Sequence, residues 1–166
     1  MKTLFLLRHA KAENGAADLS DFDRALNDRG RRESQAAGEY IKQQNQQLDL
    51  VLSSPALRAR ETAALALASA RLENETRFDQ RIYEASWQVL LTVLSEVEEP
   101  ASSLMLVGHN PGLEDLLRTL TGRAEQMKPC TIASINLNID QWSSVRVNTG
   151  TLDWLVKPNE FPAGQQ

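Results

Sequence analysis

"TLFLLRH", Thr3–His9, decides the fold. Five residues with no break in hydrophobic character run straight into an arginine and a histidine. Five residues are too few for a helix, so the stretch reads as a strand buried on both faces. The pattern recurs twice. "LDLVLSS" (Leu48–Ser54) ends on two serines, and "SSLMLVGH" (Ser102–His109) ends on Gly108 and the second of only two histidines. Strands buried on both faces belong to parallel sheets covered by helices, so the intervening sequence should be helical.

It reads so. "NDRGRRESQAAGEYIKQQNQ" (27–46) suggests a helix capped by Asn27, with Ala36, Ala37, Tyr40 and Ile41 facing inward. "PALRARETAALALASA" (55–70), "SWQVLLTVLSEVE" (86–98) and "PGLEDLLRTLTG" (111–122) suggest three more, the last closed by Gly122. Ala10–Leu26 reads as a polar loop and "TRFDQRIYE" (76–84) as extended or irregular chain. "CTIASINLNI" (130–139) and "SVRVNTGTLDWLVKP" (144–158) alternate, which suggests strands at an antiparallel end, with Cys130 a small strand residue. The expected fold is a three-layer α/β sandwich around a mostly parallel sheet, in a single domain over residues 1–166.

Composition narrows the function. A net charge of −4 argues against general nucleic-acid binding, which normally needs a basic surplus. One cysteine excludes an internal disulfide and fits a reducing compartment. The apolar run before Arg8 is shorter than the about 7–15 residues of a signal peptide and the about 20 of a spanning helix. A cytoplasmic protein without membrane attachment is expected.

In open α/β sheets, ligands bind beyond the carboxyl ends of the strands. Arg8, His9, Arg58 and His109 should therefore meet there. Ser54-Pro55 and Asn110-Pro111 read as caps of helices whose N-termini join them, each with proline at the first helical position. Taken singly, each feature is ordinary. Together they describe a site for a phosphate, since guanidinium forks match phosphate oxygens. Other phosphate chemistries fail on inspection. No Gly-x4-Gly-Lys-Ser/Thr or Gly-x-Ser-x-Gly motif exists, and a Cys-x5-Arg loop would need arginine where Asn136 stands. No His/Cys/Asp cluster suggests a metal. Asp21, Asp23 and Asp28 read as partners for Arg24 and Arg29.

The motifs "LRHA", "SSPALRARETA" and "VGHNPGLEDL", in this order and at these strand ends, resemble the histidine phosphatase superfamily, which includes the phosphoglycerate mutases. The similarity is strongest to its short SixA-like branch of phosphohistidine phosphatases. "DFDRALNDRGRRES" and "GTLDWLVKP" extend it over nearly the whole chain. The resemblance implies a phosphoglycerate mutase-like fold and His9 as a nucleophile that becomes phosphorylated. It implies Arg8, Arg58 and a protonated His109 around the phosphoryl group, joined by Asn110, with no cofactor and no metal. Glu84 falls where the wider family carries its proton donor. Ala10 replaces the usual glycine. Lys11 replaces a frequent acidic residue, which speaks against a mutase or sugar bisphosphatase. The expected substrate is phosphohistidine on a carrier or signalling protein. The alternatives are a small phosphate ester, or phosphate binding without turnover.

Overall fold

The computed structural model describes residues 1–98 and 100–162. The expected domain of residues 1–166 thus includes five positions, 99 and 163–166, that lie outside the described residues. Six strands form one sheet: β1 (Lys2–Arg8), β2 (Leu50–Ser53), β3 (Thr76–Phe78), β4 (Ser103–Gly108), β5 (Ile132–Leu137) and β6 (Gly150–Val156). Their order is β3-β2-β4-β1-β5-β6. The first four in that order are parallel, while β5 runs antiparallel to both β1 and β6.

Four helices cover the two faces: α1 (Asp28–Gln43), α2 (Leu57–Ala70), α3 (Trp87–Ser95) and α4 (Gly112–Thr121). Successive strand residues point to opposite faces, so each buried strand feeds two cores. Phe5, Leu7, Val51, Met105 and Val107 pack with Ala37 and Ile41 of α1 and with Ala59, Ala63 and Ala66 of α2. Leu4, Leu6, Leu52, Leu104 and Leu106 pack with Leu90 and Leu94 of α3 and with Leu113 and Leu117 of α4. This is the three-layer α/β sandwich expected, and the double burial explains the unbroken apolar runs. No helix among the described residues is long and apolar enough to cross a membrane.

Local signals hold in part. The Asn27 side chain accepts from Gly30 N at 2.8 Å and caps α1. Gly122 closes α4 in the left-handed conformation. The buried stripe of α1 is Gly30, Ser34, Ala37, Gly38 and Ile41, leaving Ala36 and Tyr40 at its flanks rather than its centre. The shift follows from close packing, since a Cβ on Gly38 would collide with the Ala66 carbonyl of α2. Cys130 is not a strand residue. It precedes β5 at φ 66°, and its N–H lies 3.1 Å from both the Arg8 and His9 carbonyls.

Both expected proline helix starts shift as well. Ala56, not Ser54, caps α2, and the Ser54 hydroxyl accepts from Ala56 N at 3.2 Å. Helix α4 starts at Gly112, after Pro111 rather than on it. Asn110 does not cap, because its amide donates to Glu114 Oε1 and Met127 O, both at 2.8 Å.

Candidate active site

Strands β1 and β4 are neighbours with Arg8 opposite Gly108, so the residues that follow emerge side by side. His9 N donates to Gly108 O at 3.1 Å, and the imidazoles of His9 and His109 lie 5.1 Å apart between centroids. Arg58, only 5% exposed near the start of α2, places its Nη2 at 3.5 Å from His109 Nδ1. Arg8 donates from Nη1 to Met127 O at 2.9 Å. Four residues spread over a hundred positions thus gather at the carboxyl edge of the sheet.

The two imidazoles are in definite tautomers. His9 Nδ1 is 2.8 Å from the Ala10 carbonyl, which can only accept, so Nδ1 carries the hydrogen and Nε2 keeps its lone pair. Burial pushes the His9 pKa down to about 3, against the pull of the Ala10 bond and with help from His109, Arg58 and Arg8. For His109 the order reverses. The Arg58 guanidinium can only donate, so Nδ1 is the acceptor and Nε2–H donates to Ser54 Oγ at 2.7 Å. Burial, then the Arg58 charge, lowers its pKa to about 4. These two effects hold His109 towards its neutral form. A cation buried beside an arginine is destabilised by both effects.

Asp21 has a part that the sequence reading did not give it. Its carbonyl accepts from Arg58 Nη1 at 2.7 Å and its carboxylate from Arg58 Nη2 at 3.0 Å. The same carboxylate oxygen accepts from Tyr83 OH at 2.6 Å. The Tyr83 bond first, then Arg58, holds the Asp21 carboxyl down to about 2, and Asp21 in return pushes the Tyr83 phenol up to about 12. The Tyr83 ring meets His109 edge-on, 5.5 Å between centroids. Asp21 also pairs with Arg24 at 3.0 Å, as expected. The other expected partners change: Asp23 accepts from Ser20, Asp28 pairs with Arg31, and Arg29 pairs with Glu33.

Two expected site residues are placed differently. Both amide hydrogens of Asn110 are committed to protein acceptors, so it holds Met127 and Glu114 rather than offering a donor to a ligand. Glu84 is exposed beside Tyr83, in the left-handed conformation at φ 52°. Among the described residues none bonds to its side chain. Ser54, Thr62 and Tyr83 join the site through contacts. Ser54, at the strand end, and Thr62, one helical turn after Arg58, had a usable signal; Tyr83 had none.

The Nε–H groups of Arg8 and Arg58 are buried and have no acceptor among the described residues. Unpaired buried donors on two guanidinium groups, beside two neutral imidazoles, make a site suited to a tetrahedral anion. No group of three or more His, Cys, Asp or Glu side chains among the described residues is placed to hold a metal ion.

Comparison with known proteins agrees. Residues 4–104 match the model of the histidine phosphatase superfamily (branch 1). An uncharacterized protein of Mycobacterium leprae (strain TN) is 31% identical over 119 residues, which span 70% of this chain and 71% of that one. The structure of the SixA protein of Agrobacterium tumefaciens superposes with a TM-score of 0.80 at 25% identity, covering 95% of this chain and 98% of the other. The protein histidine phosphatase SixA complexed with tungstate gives 0.82, also at 25% identity, with 95% and 97% covered. The chain, phosphoglycerate mutase-like in fold and SixA-like in structure, belongs to branch 1 of the histidine phosphatase superfamily.

Proposed function

We propose that this protein is a phosphatase, one domain over residues 1–166, working through a phosphohistidine intermediate on His9. The observation that carries the reading is the state of His9. Its ring is neutral, Nδ1–H is tied to the Ala10 carbonyl, and the Nε2 lone pair is free beside two arginines. A neutral imidazole is the nucleophilic form. Nε2 attacks phosphorus in line, the N–P bond forms as the bond to the leaving group breaks, and the leaving group takes a proton. Water then attacks the phosphohistidine, releasing inorganic phosphate and restoring His9. Arg8 and Arg58 stabilise the charge on the equatorial oxygens, a task that metal ions perform in other phosphoryl-transfer enzymes. A bound phosphoryl dianion also raises the proton affinity of His109, so the protonated state belongs to the complex.

The leaving group favours phosphohistidine on a protein as substrate. An alkoxide must be protonated as it departs, whereas imidazole is a good leaving group. Of the acidic groups at His9 and His109, Asp21 is ionised at neutral pH and the Tyr83 hydroxyl is committed to it. Glu84, at the rim beside Tyr83, is the proton donor for ester substrates in this reading.

A substrate panel tests this, with phosphohistidine peptides, nitrophenyl phosphate and alkyl phosphates assayed in excess chelator. Phosphohistidine should give the highest kcat/KM, with no loss to EDTA. Glu84→Gln should slow alkyl phosphates by about 10²–10⁴ and leave phosphohistidine nearly unchanged, following the usual size of general-acid effects. Preference for alkyl phosphates would replace the protein substrate by a small ester. Activity restored only by added metal would overturn the metal-independent mechanism.

A further inference from the structure

We propose that Thr62 is a positioning residue for the His9 imidazole; the inference rests on the reading of His9 as nucleophile. Thr62 is fully buried on α2, one turn after Arg58. Its hydroxyl donates to the Arg58 carbonyl at 2.7 Å and accepts from Ala10 N at 2.9 Å. Ala10, itself fully buried, presents the carbonyl that holds His9 Nδ1–H at 2.8 Å. A threonine that bonds back to the carbonyl four residues earlier is a common helix feature. The second bond, across to the strand end, links Thr62 to the nucleophile.

Other restraints nearby are the backbone bonds from His9 N to Gly108 O, from Arg8 N to Thr131 O and from Cys130 N to the Arg8 and His9 carbonyls, and the bond from Arg8 Nη1 to Met127 O. Among the described residues, Thr62 supplies the acceptor for the Ala10 N–H. It also ties His9 to the helical turn that carries Arg58, so nucleophile and phosphoryl ligand share one mount. Without the hydroxyl, Ala10 N–H is a buried donor with no partner. The loop relieves this by shifting, and the Ala10 carbonyl carries the imidazole with it. Misplacing a reacting group by about 1 Å costs on the order of 10² in rate.

Thr62→Val keeps the shape and removes both bonds; Thr62→Ser keeps the hydroxyl. On nitrophenyl phosphate, valine should lower kcat by about 10- to 100-fold at nearly unchanged KM, and serine should restore most of it. Proton–nitrogen NMR of the full chain, assigned with His9→Ala and His109→Ala, should show the His9 Nδ1–H signal moved or lost in the valine variant while His109 Nε2–H stays. Should valine prevent folding, Thr62→Ala carries the same expectation. Wild-type kcat in a folded variant without the hydroxyl, a serine variant as slow as valine, or an unmoved His9 signal would each overturn the proposal. The spectrum needs no turnover. An inactive wild type therefore removes the functional reading, while the Thr62–Ala10–His9 link is still decided by NMR.

Discussion

The two histidines occupy equivalent places, each just past the end of one of two adjacent parallel strands. They are held in opposite ways. His9 is oriented by a backbone carbonyl, and its free nitrogen is Nε2. His109 is oriented by two side chains, Ser54 and Arg58, and its hydrogen sits on Nε2. One strand end thus presents a lone pair, the other a ring whose unprotonated nitrogen already faces a cation. On the proposed reading, equal positions in the fold yield a nucleophile on one side and a responsive neighbour on the other, and the hydrogen-bond partner makes the difference.

The sharpest way to break this contrast is to remove each ring. His9→Ala should cost at least about 10⁴ in kcat, as losses of a nucleophile do, and should trap no acid-labile, alkali-stable phosphoenzyme. His109→Ala should cost about 10²–10³, as losses of a transition-state donor do, and should still trap phosphate on His9. Phosphoenzyme in the His9 variant, or none in a folded His109 variant, would erase the division of labour.

Ser54→Ala sharpens it further. Loss of this partner should lower kcat by about tenfold, the scale of one hydrogen bond. It should release the His109 tautomer and leave the His9 Nδ1–H signal in place. An equal response of both rings would show that the two are not oriented separately.

The smallest effect is in the pH profile. With pKa values near 3 and 4, neither imidazole titrates between pH 5 and 8, so neither should place an acid limb in kcat/KM near 6.5. Stability should carry the signature. In the unfolded chain both rings take up protons below about pH 6.5, while the folded chain resists. Their contribution is complete above pH 6.5 and is lost as pH falls through the folded values. Thermal melts should therefore drop from pH 6.5 towards pH 4, less steeply in His109→Ala. An enzyme limb near 6.5, with melts flat over this range, would mean that the rings are not desolvated.

Much of this was legible in the sequence for one reason. A strand covered on both faces must be continuously apolar, so Leu4–Leu7, Leu50–Leu52 and Leu104–Val107 announce themselves, and so do the polar residues that end them. What stayed hidden is what sequence spacing does not encode. The acceptors for Arg8 and His9 are the carbonyls of Met127 and Ala10, and any residue type supplies a carbonyl. Asp21 reaches Arg58 across 37 positions and Tyr83 across 62, so the composition of its loop suggested only local pairing. Asn110-Pro111 has the composition of a cap, yet Glu114 and Met127 O take the side chain instead. The charge state of His109 depends on burial beside Arg58, which becomes visible only once α2 is placed against β4.

The place of β1 in the sheet has a consequence for synthesis. Its neighbours are β4 and β5, which span residues 103–137. On the ribosome, β1 has no sheet partner until β4 has emerged. Long-range pairing of this kind is slow and leaves apolar segments open to association meanwhile. Leu4–Leu7 is such a segment, and it must be sheltered or remain loosely collapsed until β4 arrives. The same delay keeps Arg8 and His9 apart from Arg58 and His109 during translation, so a nascent chain has no assembled anion site. On the proposed reading, binding of inorganic phosphate would then report the arrival of β4 and β5 at β1.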